Sequence, residues 1–317
     1  MPYELDPDLL EAVASGPPMA PVAPAARGDH QTLRANGETG LAAIDARLPE
    51  YADVERVSHV ATSHDGATIP VRWYRPAHAD HASTAGPAVV YLHGGGMIMA
   101  SVDLYDRLVA SYVAETGVPV LSVDYRLAPE HPHPAPVEDS FGGLRWLVDH
   151  ADELGVDPGR VAVMGDSGGG GLAAGVALLG RDRDVPLARQ VLIYPMLDDR
   201  NTTPDPNLAP FAGWSYDDNY TGWHALLGDR VGTDDVPAYA APARAIDVSG
   251  LPPTYVETGE LDIFRDESIE YARRIAATGT SIELHVHPGC PHGFDRLGDI
   301  PVVRRAFADR HRVLRSL

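Results

Sequence analysis

The chain has 317 residues, 44% hydrophobic and 22% charged, the balance of a globular protein long enough to bury a large core. A formal net charge of −20 argues against nucleic acid and against stable association with anionic membranes, and no apolar run approaches the roughly 20 residues of a membrane helix. Cys290 is the single cysteine, which rules out an intrachain disulfide, and the N-terminus lacks a basic region and apolar core, so the expected location is cytoplasmic.

Residues 1–50 differ in composition from the rest. D-P-D-L-L-E-A-V-A, from Asp6, opens like a helix, G-P-P at 16–18 breaks it, and 31–48 has room for a second. Too short and proline-rich to fold alone, this N-terminal segment is expected as a cap over a catalytic domain spanning 51–317. Strands are expected at 54–63 and 67–76, joined through His64-Asp65-Gly66, whose Asp-Gly pair signals a hairpin. Strand and helix then alternate: strand 87–93, helix 103–115, strand 118–125, helix 137–150, strand 161–164, helix 172–179 and strand 190–195. Such alternation predicts right-handed crossovers, a mostly parallel sheet covered on both faces, and ligands at the carboxyl ends of the strands. Residues 198–225 interrupt the rhythm as a long loop, read as a lid because Phe211, Trp214, Tyr216, Tyr220 and Trp223 give it an aromatic inner surface. A strand at 252–258, a helix at 265–278 ended by Gly279, a strand at 282–287 and a helix at 302–317 complete the pattern.

Four stretches carry chemistry, each where a strand gives way to a loop. Gly165-Asp166-Ser167-Gly168-Gly169 matches G-x-S-x-G between an apolar strand and an apolar helix, the context in which a serine stands at the tip of a sharp turn. Alone it could be a turn whose serine merely caps the helix. His93-Gly94-Gly95-Gly96 follows V-V-Y-L and frees backbone N–H groups to converge on one point. Asp262 and His292 follow the strands at 252–258 and 282–287, so the chain order is Ser, Asp, His. Each residue has a bland explanation by itself, but the set in this order points to nucleophilic catalysis.

On H-G-G-G at 93–96, Y-R-L-A-P-E-H-P-H-P-A at 125–135, G-D-S-G-G-G at 165–170, the Asp262 segment and His292-Gly293-Phe294, the chain resembles the bacterial hormone-sensitive-lipase family of α/β-hydrolases, the family IV lipolytic esterases. The resemblance implies an α/β-hydrolase fold, a mostly parallel sheet of about eight strands with helices on both faces and a helical cap. It also implies a serine carboxylesterase without cofactor or metal. Ser167 would attack, His292 would carry the proton and Asp262 would orient the imidazole, while Gly95, Gly96 and Gly168 would hold the oxyanion. The 125–135 segment would be a supporting loop, leaving Glu130 and His131 without a catalytic role. Two positions depart from the family: Gly168 stands where alanine is usual, and Met97 where an aromatic residue is common. By composition, the pocket is expected to be lined by Met97, Ile98, Phe211, Trp214, Tyr216 and Phe294 and to take a small, neutral ester of short to medium acyl length. A homodimer is compatible with the sequence. Two alternatives stay open: an amidase or peptidase using the same serine chemistry, and a non-catalytic receptor such as the related plant gibberellin receptors, which lack the catalytic histidine. His131 with His133, and His285 with His287, lack a third metal ligand at a recognisable spacing.

Overall fold

A computed structural model describes residues 3–15, 23–78 and 85–317. The expected hairpin is its first strand pair: β1 (Val54–Thr62) and β2 (Thr68–Pro76) run antiparallel, with Val54 opposite Pro76 and Thr62 opposite Thr68. The turn between them closes with the Ser63 N–H on Ala67 O at 2.9 Å, and Gly66 supplies its positive φ of 83°. The sheet continues through β3 (Gly86–Leu92), β4 (Val120–Val123), β5 (Val156–Asp166), β6 (Arg189–Ile193), β7 (Thr254–Gly259) and β8 (Ile282–His287). Their spatial order is β1-β2-β4-β3-β5-β6-β7-β8, and every pair from β4 onward is parallel.

That order creates a switch point. From β3 the chain crosses one way to β4, and from β5 it progresses the other way, so a crevice opens at the carboxyl ends of β3 and β5. Leu92 on β3 is level with Gly165 on β5, and Gly259 on β7 with His287 on β8. Register alone therefore brings the glycine triplet beside Ser167, and Asp262 beside the loop of His292.

The central strands are apolar on both faces because helices cover both. On one side α4 (Ala135–Asp149), α6 (Gly168–Asp182) and α8 (Arg265–Ala277) pack against residues such as Val90, Val163 and Val256; on the other, α3 (Asp106–Thr116) and α9 (Pro301–Arg315) pack against Val89, Met164 and Tyr255. A four-residue turn, α5 (Ala151–Leu154), leads into β5.

The N-terminal segment contributes two helices with different destinations. The first, α1 (Pro7–Ser15), packs on the body beside the loop after β8: Leu9 is buried in the α3/α9 core and the Asp6 N–H donates to Gly289 O. The break expected at 16–18 lies outside the described residues. The second, α2 (His30–Asp45), is N-capped by Asp29 and lies over the crevice, held by Arg34, whose guanidinium donates to Ile98 O, Ala128 O and the Glu130 carboxylate. The long segment at 198–225 is only partly loop. Ser215 and Asp218 form a reciprocal capping box that starts α7 (Tyr216–Leu227), and Trp223 on that helix is buried in the core.

Candidate active site

Ser167 sits between β5 and α6 with φ 54° and ψ −120°, a conformation costly for a residue with a side chain. The surroundings hold it there. Its N–H donates to Ile193 O, and its carbonyl accepts from Gly171 and Met196. The turn tolerates no side chain at its second glycine, since a Cβ on Gly169 would lie 2.1 Å from Leu92 O.

Three groups line up. Ser167 Oγ is 2.9 Å from His292 Nε2, and His292 Nδ1 is 2.7 Å from Asp262 Oδ2. With Nδ1 protonated and facing the carboxylate, Nε2 is the nitrogen free to accept the serine proton. Asp262 is fully buried and its other oxygen accepts the Phe264 N–H, so it can turn only one oxygen to the imidazole. The imidazole is gripped edge-on by Tyr194 and Phe264, with ring centroids 4.8 and 5.1 Å away.

Opposite the imidazole, the glycine triplet turns through φ 109° at Gly95 and 57° at Gly96. Among the described residues, none accepts a hydrogen bond from the N–H of Gly95, Gly96 or Gly168. These donors are close together: an added Cβ on Gly168 would lie 2.8 Å from Gly96 N. His93 supports the loop from behind, stacked on Tyr125 with its Nδ1 2.8 Å from Gly94 O; burial lowers its pKa and keeps it neutral. The arrangement provides a nucleophile, a base with its orienting carboxylate, and unspent donors aimed at one spot, the parts acyl transfer requires.

The α/β-hydrolase fold family matches residues 89–296 of this chain. Carboxylesterase NlhH of Mycobacterium tuberculosis is 40% identical over 257 residues, covering 78% of this chain and 77% of the relative. Ethyl acetate hydrolase of Pseudomonas putida is 35% identical over 301 residues, covering 93% of each. Among solved structures, a bacterial heroin esterase superposes with a TM-score of 0.89 at 37% identity, covering 98% of this chain and 97% of that one. The chain belongs to the hormone-sensitive-lipase family of α/β-hydrolases. It is a carboxylic ester hydrolase.

The cleft of this hydrolase at Ser167 is open to solvent and has a volume of about 270 Å³. Its walls differ from the expected set. Trp214 does line it, packed over Gly96 so closely that a Cβ there would fall 2.7 Å from the indole. Met97, Ile98 and Phe294 do not: all three are fully buried, the first two in the α4/α6 core and Phe294 in the α3/α9 core, where it packs on Tyr194 and His287. The positive φ of Met97, 60°, turns the chain inward straight after the glycines. Phe211 lies outside the cleft, half-buried in the insertion. Tyr216 lines a separate cleft beyond that segment, its hydroxyl accepting the Asp205 N–H.

In their place stand residues that motif reasoning passes over. Leu33, Gly37, Gly40, Leu41 and Ile44 form one face of α2 and roof the cleft, while Met99, Tyr105, Tyr194, Asp218 and Arg296 complete it. The i, i+4, i+7, i+8, i+11 spacing of the α2 set is a visible helical stripe. The loop at 125–135 buttresses the site: Arg126 pairs with Asp139 and Asp65, and the Ala128 N–H donates to Met97 O. Burial pushes the Cys290 thiol up to about 12, leaving it a packing residue. Among the described residues, Glu283, His285 and Asp309 could approach a common ion, but they lie on β8 and α9 and Arg312 already bonds both carboxylates.

Proposed function

We propose that this hydrolase cleaves short- to medium-chain acyl esters through an acyl-enzyme on Ser167. Ser167 Oγ attacks the ester carbonyl carbon while its proton passes to His292 Nε2, and the imidazolium that forms is stabilised by Asp262. The carbonyl oxygen, now an oxyanion, takes hydrogen bonds from the N–H groups of Gly95, Gly96 and Gly168, each worth about 3 kcal/mol in the transition state. Collapse of the tetrahedral intermediate expels the alkoxide, which receives the proton held by His292. A water molecule then attacks the acyl carbon as His292 takes its proton, and a second collapse frees the acid and restores Ser167.

The observation that carries this reading is the continuous hydrogen-bonded line from Ser167 through His292 to Asp262, opening into a largely apolar cleft. Substrate size follows from volume. A cleft of about 270 Å³ lies just below the usual range of about 300–1,000 Å³ for drug-sized ligands. It suits a small ester better than a long-chain glyceride.

A chain-length series of p-nitrophenyl esters tests the proposal. Each methylene the cleft can bury should raise kcat/KM about fourfold, the equivalent of roughly 0.8 kcal/mol, until the cleft is full, after which the value should fall. Ser167→Ala should lower kcat by at least about four orders of magnitude and leave thermal unfolding unchanged. Full activity in that variant, or a preference for emulsified long-chain triglyceride, would refute the mechanism and the substrate class respectively. A matched p-nitroanilide series shows whether amides are also cleaved.

A further inference from the structure

The residue before the nucleophile, Asp166, has no part in the chemistry just described, yet it is buried at 3% exposure with four donors on its carboxylate. Oδ1 accepts the Tyr91 hydroxyl at 2.7 Å and the Gly94 N–H at 3.1 Å. Oδ2 accepts the Tyr105 hydroxyl at 2.9 Å and Arg296 Nη2 at 3.0 Å. Four donors fill the acceptor sites of an ionised carboxylate. Burial, with this carboxylate nearby, pushes the Tyr91 and Tyr105 phenols well above their ordinary range, so both remain protonated donors.

Two of these donors belong to the other catalytic loops. Gly94 immediately precedes Gly95 and Gly96, so its N–H fixes the start of the oxyanion turn. The approach leaves no room for a side chain, since a Cβ on Gly94 would lie 2.6 Å from Asp166 Oδ2 and 2.8 Å from the Tyr105 hydroxyl. Arg296 closes the short helical turn Phe294–Arg296 that follows His292, and its guanidinium also packs over the Tyr105 ring at 4.5 Å. Asp166 is itself bonded covalently to Ser167.

We propose that Asp166 is a positioning residue, one carboxylate that sets the oxyanion loop, through Gly94, and the histidine loop, through Arg296, against the nucleophile beside it. The inference rests on the roles proposed above for Ser167, His292 and the glycine triplet. Its physical basis is that donors stabilise a developing oxyanion only when held at the correct point before reaction, and a displacement of about 1 Å can cost about a hundredfold in rate. A buried carboxylate supplies that stiffness, because releasing any donor would leave a buried charge less satisfied.

The test compares Asp166→Asn, Arg296→Met, Arg296→Lys and the Asp166→Asn/Arg296→Met double variant with the parent chain. The readouts are kcat and KM on p-nitrophenyl butyrate, affinity for a trifluoromethyl ketone of the same acyl length, and thermal unfolding. Asp166→Asn keeps an acceptor for Gly94 but turns an N–H toward Arg296. It should lower kcat about a hundredfold, weaken the ketone in proportion and leave KM within about threefold. Arg296→Met should lower kcat about tenfold, Arg296→Lys should recover most of that loss, and the double variant should be no slower than Asp166→Asn, because both changes act through one contact. A purely structural staple would lower the unfolding temperature and spare kcat. That result, losses that multiply in the double variant, or unchanged ketone affinity beside a fallen kcat overturns the proposal. If Asp166→Asn does not fold, the Arg296 pair decides: recovery by Lys and not by Met supports the proposal, and parental kcat in both overturns it. Failure of the underlying mechanism would register elsewhere, as ester turnover by Ser167→Ala at the parental rate.

Discussion

Arg310 offers the sharpest stability test. It is fully buried on α9, where its guanidinium bonds the Glu257 carboxylate on β7 and, at 2.7 Å, the Asp295 carboxylate. Tyr112, Tyr194, Tyr255 and His287 surround this cluster, with His311 and Asp309 close enough to feel its charges. Burial alone would raise the pKa of Glu257, but Arg310, helped by His287, outweighs it and holds the carboxyl at about 2, against an ordinary value of 4.5. At about 1.4 kcal/mol per pKa unit, that difference corresponds to roughly 3 kcal/mol of native-state stabilisation. Arg310→Met leaves two buried carboxylates without their cation, a loss of about 3–5 kcal/mol. For 317 residues at about 2.1 cal/mol/K each, the unfolding entropy is about 0.7 kcal/mol/K, so the unfolding temperature should fall by about 4–8 °C. The pH dependence should change sign as well. In the parent, the folded pKa of Glu257 lies below the unfolded one, so its contribution is complete above about pH 4.5 and is lost as pH falls toward 2. Without Arg310, burial leaves the folded pKa above the unfolded one, and acidification then relieves the penalty. Calorimetry at pH 8 and pH 5 should therefore show the gap between variant and parent narrowing in acid. A drop of less than about 2 °C at pH 8, or a gap that widens at pH 5, would refute the account.

The roof of the cleft can be probed directly. Leu41→Trp on α2 adds bulk over Ser167 and should move the preferred acyl chain at least one or two methylenes shorter, with kcat/KM on the longest parental substrate falling about fourfold for each methylene excluded; an unchanged ester profile would show that α2 does not bound the acyl site. Arg34→Ala removes the guanidinium that ties α2 to Ile98 O and Ala128 O. Because its ion pair with Glu130 is partly exposed, the direct electrostatic loss should stay below about 1 kcal/mol. The looser roof should raise KM for p-nitrophenyl butyrate severalfold while kcat stays within about twofold; equal losses in kcat and kcat/KM would show instead that Arg34 acts on the transition state.

The catalytic loops were legible in the sequence because chemistry and backbone geometry restrict their residue types. Gly165 is dictated by the backbone of the turn itself and Gly169 by the end of the neighbouring β3, and Ser167, Asp262 and His292 each follow a strand that its sequence marks. The pocket was not legible in the same way. Met97 and Ile98 follow the glycine triplet directly, yet the run of positive φ through Gly95, Gly96 and Met97 sends them into the core. Glycines permit the first two of these angles, but nothing local encodes the third. The α2 stripe from Leu33 to Ile44 announces an amphipathic helix, but the surface it faces is made from residues more than fifty positions later. The aromatic content of 198–225 suggests a loop-like lid, whereas the Ser215-to-Asp218 spacing carries the helix-start signal that turns part of it into α7 and buries Trp223.

The way α2 is fastened bears on how this enzyme can change. Arg34 ties the helix to two backbone carbonyls, at Ile98 and Ala128, as well as to the Glu130 carboxylate, and every residue displays a carbonyl whatever its side chain. The carbonyl half of this anchor is thus indifferent to side-chain changes in the body beneath it, and it lies apart from Leu33, Leu41 and Ile44, which line the cleft at Ser167. Exchanging those positions among apolar residues alters neither partner of the Arg34 bonds nor any member of the line from Ser167 to Asp262. On the mechanism proposed above, acyl preference and bond-breaking are carried by different parts of the chain, and a library confined to one face of a single helix is expected to vary the first while leaving the second intact.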